Sequence, residues 1–178
     1  GIIHACLPTE EGLQKCADLG IQIPLQPAFL MWDLEPVDFL QSILGNRAER
    51  ISPLRKMTDM GIVLSGGSDA PCTLPDPIVG IHAACNHYVP EQSLTIPEAL
   101  KLFTCNAAWT TFDEKELGSL ETGKMADMVI LNRNPLTMKP NELLGLKVEN
   151  LLLKGEPYRK GQNSLNLLTK GLLLGGKI

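Results

Sequence analysis

Apolar and polar positions change period several times along this chain, and each change marks an element. Residues 1–5, GIIHA, are apolar and β-branched and predict a strand. Residues 8–20, PTEEGLQKCADLG, predict a helix. Thr9 can cap it, and Glu10 and Glu11 suit the positive end of its dipole. Leu13, Cys16, Ala17 and Leu19 fall at helical spacing, and Gly20 stops it. IQIPLQPAFL at 21–30 predicts a second strand, with Pro24 and Pro27 marking its edge or end. An acidic, aromatic loop from Met31 to Glu35 leads to a short helix at 37–44. ISPLRKMTDMG at 51–61 predicts another helix, with Ser52 at the N-cap, Pro53 at the first helical position and Gly61 as the stop. IVLS at 62–65 predicts the third strand, and a helix follows at 78–88 after the turn GGSDAPCTLPDP. Thr95 and Glu98 form a capping box at the head of a helix through LTIPEALKLFTCNAAWTTF, with Leu100, Phe103, Ala107 and Ala108 as its buried stripe.

Strand and helix therefore alternate through residues 1–112, which predicts an α/β unit with parallel strands and right-handed crossovers. The pattern then shifts. DMVIL and VENLLLKG read as strands closed by turns, with no crossover helix between them. Residues 113–160 are expected to form a separate small β unit, and 161–178 a further strand or a loosely docked tail.

Composition narrows the class. The 178 residues carry a net charge of -4, an apolar fraction of 44% and a charged fraction of 20%, as in a soluble globular protein. The acidic balance, without a Lys/Arg-rich block, argues against nucleic-acid binding. No run is long and apolar enough to span a bilayer, and the first residues lack the basic and apolar regions of a signal peptide. Five scattered cysteines without a CxxC pair read as free thiols in a reducing compartment, which predicts a cytoplasmic protein.

Candidate chemistry sits at strand ends. His4 closes the first strand, Asp69 lies just past the third, and the strand between them closes with Gln26 and Pro27. An imidazole nitrogen and a carboxylate facing one mouth are natural ligands for a divalent metal, and the carboxylate can also take a proton from water. Three protein ligands are usual for catalytic zinc, and spacing identifies two. The structural alternatives are a hydrogen-bonded strand-end histidine and an aspartate serving an Asx-turn or helix cap. His82 and His87, five apart, do not share a helix face and read as packing or surface residues. Cys72 reads as a plain thiol, and Met57, Met60 and Trp109 as core.

The order of these motifs is more specific than any one of them. The chain resembles the C-terminal part of the amidohydrolase superfamily over residues 1 to about 160, most closely the branch called amidohydrolase family 3, or YtcJ-like. IIHA resembles the sixth barrel strand, GIQIPLQPAFL the seventh, and the segment ending in GIVLSGGSDAP the eighth. LTIPEALKLFTCNAAW and LGSLETGKMADMVIL resemble the helix and the return strand that follow them in that family.

The resemblance implies strands 6–8 of a (β/α)8 barrel, joined to part of a composite β-sandwich. It also implies metal-dependent hydrolysis of an amide or other non-peptide C–N bond. Asp69 would bind a divalent metal, zinc by expectation, and act as general base. His4 would be a second ligand, and Gln26 would line the pocket of a small-molecule substrate. Ile3 stands where the branch usually has glutamate, and His87 roughly where many relatives have arginine. The family's His-x-His, its lysine and a further histidine have no counterpart. The chain is therefore expected to be an inactive fragment of a longer enzyme, self-associating through unpaired strand edges. The alternatives are a non-catalytic regulatory protein built on the same remnant and a free-standing α/β binding module.

Overall fold

The structure is a computed structural model and describes residues 1–158. The expected tail at 161–178 lies outside the described residues.

The α/β alternation is present. Helix α1 spans Glu10–Asp18, capped by the Thr9 hydroxyl, which accepts from Gly12 N at 3.1 Å. Leu13 and Cys16 turn inward. Strand β1, Ile23–Leu25, is shorter than the predicted run because Pro27 opens a 3-10 turn, Pro27–Met31. Helix α2, Val37–Leu44, matches its prediction and has no fully buried residue. Strand β2, Leu64–Gly66, pairs in parallel with β1, placing Ile23 opposite Leu64 and Leu25 opposite Gly66.

Residues 1–5 do not form a regular strand. Ile2 N donates to Gln22 O at 3.0 Å and His4 N to Pro24 O at 2.9 Å, which lays the segment beside β1. His4 and Ala5 then take φ of 68° and 47°, left-handed values that carry the chain off the sheet and end the ladder.

The helix predicted at 51–61 is shorter. Ser52 sits at φ 45° with its N–H on Cys6 O at 2.7 Å, so Pro53 takes the N-cap position and α3 spans Leu54–Asp59. Gly61, at φ 77°, follows it as expected.

Helix α4, Pro77–Cys85, begins at Asp76, whose carboxylate accepts from Ile78 N at 2.9 Å. It is buried continuously from Gly80 to Cys85, since other elements cover it on more than one face. The long helix predicted from Thr95 is two helices, α5 at Ile96–Leu102 and α6 at Cys105–Thr110. Thr104 leaves helical geometry at φ -129° and ψ -104°. The break reorients the faces. Ile96, Ala99, Leu102 and Ala108 are buried, Leu100, Phe103 and Ala107 are half-buried, and Trp109 is exposed rather than core. Met57 is fully buried and Met60 packs on the core edge.

Phe103 is clasped by close backbone. A Cβ on Gly66 would stand 2.5 Å from its ring, and a Cβ on Gly80 would also overlap it. Glycine at both positions lets β2 and α4 approach α5.

A second sheet holds β3 at Met128–Leu131, β4 at Val148–Leu153 and β5 at Glu156–Pro157, all antiparallel, as the return strands predict. The segment between β3 and β4 contributes Met138, Leu143 and Leu146 to the main core beside Ile81 and Leu102. Among the described residues no helix is long and apolar enough to cross a membrane.

Candidate metal centre

His4 and Asp69 meet. Parallel pairing of the 2–4 segment, β1 and β2 brings their C-terminal ends to one mouth. There His4 Nε2 lies 3.7 Å from Asp69 Oδ2. Both side chains are about half exposed, at 42% and 46%. Asp69, like His4, holds a left-handed backbone, at φ 54°. Non-glycine residues in that region carry local strain, which the surrounding turn must maintain.

The turn around Asp69 is held by its neighbours. Cys72 N donates to the Asp69 carbonyl at 2.9 Å, the Ser68 hydroxyl accepts from Ala70 N at 3.3 Å, and the Thr73 hydroxyl donates to the Ser68 carbonyl. The Asp69 carboxylate accepts no hydrogen bond from the described residues, so neither an Asx-turn nor a helix cap engages it. Those duties fall to Ser68 and Asp76.

Gln26 closes β1 beside this pair. Its Nε2 lies 3.8 Å from where a Gly67 Cβ would stand, and its Oε1 is buried without a hydrogen-bond partner among the described residues. The residue follows directly on β1, at the same end of the strands as His4 and Asp69. Among the described residues no cluster of three or more His, Cys, Asp or Glu side chains could hold a metal ion.

The other histidines are structural. His87 accepts from Val89 N at Nδ1, 2.9 Å away, so Nε2 carries the proton and donates to the carbonyls of Ile51 and Ser52 at 3.2 Å each. Burial pushes its pKa below the ordinary histidine value, against those backbone bonds. His82 is buried on α4, its Nδ1 without a partner among the described residues, and burial lowers its pKa too.

Sequence reasoning missed a cavity beside the pair. It has a volume of about 340 Å³ and is lined by residues including Cys6, Phe29, Trp32, Leu40, Leu44 and Tyr88. The Phe29 ring centroid is 6.1 Å from that of His4 and 5.0 Å from that of Trp32. The aromatic loop and the apolar face of 37–44 were visible in the sequence, but their convergence was not.

The model of the amidohydrolase family matches residues 1–158. The chain belongs to that family. Among amidohydrolase relatives, it is 28% identical over 165 residues to "Putative amidohydrolase YtcJ" of Bacillus subtilis, covering 87% of this chain and 31% of that protein. It is 29% identical over 167 residues to the N-substituted formamide deformylase of Arthrobacter pascens, covering 85% and 29%. Thus the resemblance read from the motifs holds, and the chain spans about a third of the length of these relatives. A solved structure of an uncharacterized metal-dependent hydrolase from Pyrococcus furiosus superposes with a TM-score of 0.67 at 33% identity, over 76% of this chain and 28% of that one. The amidohydrolase relatives are hydrolases acting on C–N bonds.

Proposed function

We propose that this chain carries part of the active centre of a metal-dependent amidohydrolase that cleaves an amide or other non-peptide C–N bond in a small molecule. The carrying observation is the 3.7 Å approach of His4 Nε2 to Asp69 Oδ2. The donor set suits zinc or a similar divalent ion. Zinc bonds to histidine nitrogen and carboxylate oxygen run about 2.0–2.2 Å, and two of them together exceed the observed gap, so one ion can touch both atoms.

When bound, such an ion would make water acidic enough to attack at neutral pH and would polarise the scissile carbonyl. His4 would hold it through a ring nitrogen. Asp69, whose carboxylate accepts no hydrogen bond among the described residues, orients the attacking water, takes its proton and passes that proton to the leaving nitrogen. Gln26, at the end of β1, lines the substrate pocket.

In this reading, residues 1–112 form part of a (β/α)8 barrel. The 2–4 segment, β1 and β2 stand as adjacent strands, and the site lies at their carboxyl ends. Residues 113–160 form part of a composite β-sandwich. His4 and Asp69 are two donors where catalytic zinc ordinarily takes three from protein, so these 178 residues alone bind the metal weakly and do not turn substrate over.

The test is a zinc titration followed through the imidazole resonances of the three histidines. The His4 signals are expected to shift while those of His82 and His87 stay, and Asp69→Asn is expected to weaken the response several-fold. A His4 ring indifferent to zinc, or equally responsive in Asp69→Asn, would overturn the reading.

A further inference from the structure

We propose that the cavity beside His4 binds the apolar substituent of a neutral amide, an aryl or branched alkyl group. The inference rests on His4 and Asp69 being the reacting centre and adds what is attached to the bond they act on.

Position comes first. Cys6 lies two residues past His4, and Phe29 lies three past Gln26, so the connections that leave the candidate centre also build the cavity wall. The ring of Phe29, in the cavity wall, stands 6.1 Å from that of His4, so the space lies within one side chain of the candidate centre.

Chemistry comes next. The lining is apolar and aromatic, and its phenol is already committed, since Tyr88 donates to Ala48 O at 2.6 Å. Among the described residues its one charged side chain is Glu35. A negative charge at the rim of an apolar space repels a carboxylate or phosphate and tolerates a neutral group. The volume of about 340 Å³ is at the small end for small-molecule sites, which run about 300–1,000 Å³. One wall is α2, which buries no residue completely. Its half-buried Leu40 and Leu44 face this space.

The chain contains two tryptophans, and one of them, Trp32, lines the cavity. In a Trp109→Phe background Trp32 is the sole indole. Its emission is followed without metal during titration with N-benzylacetamide, N-methylacetamide and hippurate. N-benzylacetamide is expected to bind saturably and at least about tenfold tighter than N-methylacetamide, as burial of an aromatic ring dictates. Leu40→Asp and Leu44→Asp are each expected to remove most of that preference. Hippurate is expected to bind more weakly than N-benzylacetamide, and Glu35→Gln to narrow the gap. Equal binding of the benzyl and methyl amides overturns the proposal without any variant, as does a benzyl preference that survives both aspartates. Because no metal is present, a failure here is separate from failure of the zinc response at His4.

Discussion

The Arg55 guanidinium grips the Glu98 carboxylate at two points, Nη1 on Oε1 at 2.8 Å and Nη2 on Oε2 at 2.5 Å, and so ties α3 to α5. The same carboxylate accepts from the Thr95 amide at 2.8 Å, so one side chain serves as cap and as inter-helix clasp. The Arg55 guanidinium, foremost, holds the Glu98 carboxyl down to about 2. Because its folded pKa is depressed, the stabilisation is fully present above the ordinary glutamate pKa and is lost as pH falls through about 2. Glu98→Gln is expected to cost about 1–2 kcal/mol at neutral pH and to flatten the stability profile between the ordinary glutamate value and that limit. Urea unfolding across that range measures both effects. A profile unchanged by the substitution would contradict the clasp.

Gly66→Ala and Gly80→Ala are each expected to destabilise by about 1–3 kcal/mol, because the new methyl overlaps the Phe103 ring. Phe103→Leu should recover part of either loss by freeing that space. Thermal unfolding of the singles and doubles reads the coupling. Purely additive effects would mean the ring is not the obstacle.

His82 and His87 are both held below the ordinary histidine value, first of all by burial. A base with a lowered folded pKa binds fewer protons folded than unfolded. Stability is therefore complete above the unfolded value and declines as pH falls below it toward the folded one. Unfolding midpoints should drop below about pH 6.5, the unperturbed histidine pKa. His87→Gln should reduce the slope. A midpoint that rises on acidification over this range would reverse the sign and refute the assignment.

Asn106 Nδ2 donates to Leu64 O at 2.9 Å, on the side of β2 turned away from β1. Asn106→Ala leaves that carbonyl without its donor and opens the strand edge. A loss of about 1–2 kcal/mol is expected, with increased self-association in sedimentation velocity. An unaltered sedimentation profile at unaltered stability would show that the edge is protected by other means.

Much of this arrangement was legible in the sequence. The caps at Thr9 and Thr95, the stop at Gly61, helix 37–44 and the return strands all depend on neighbours within a few residues, which spacing reports directly. The motif order from IIHA through ADMVIL placed the chain in its family for the same reason. Local spacing was least reliable where distant segments compete for the backbone. Ser52 surrenders its cap position to a bond with Cys6, Thr104 breaks a helix whose apolar stripe looked continuous, and Trp109 turns outward as a consequence.

The sequence by itself determined the α/β class, the family and the candidacy of His4, Gln26 and Asp69. Each of these is carried by residue type and local order. Only the tertiary structure decided that His4 and Asp69 face one another, that the Asp69 carboxylate accepts no hydrogen bond among the described residues, and that an apolar cavity opens beside them. Those facts depend on the parallel register of segments some forty residues apart, and on left-handed turns that redirect two side chains as the chain leaves the sheet. Pairing at that separation is set by burial of the whole core, which no short stretch of sequence contains.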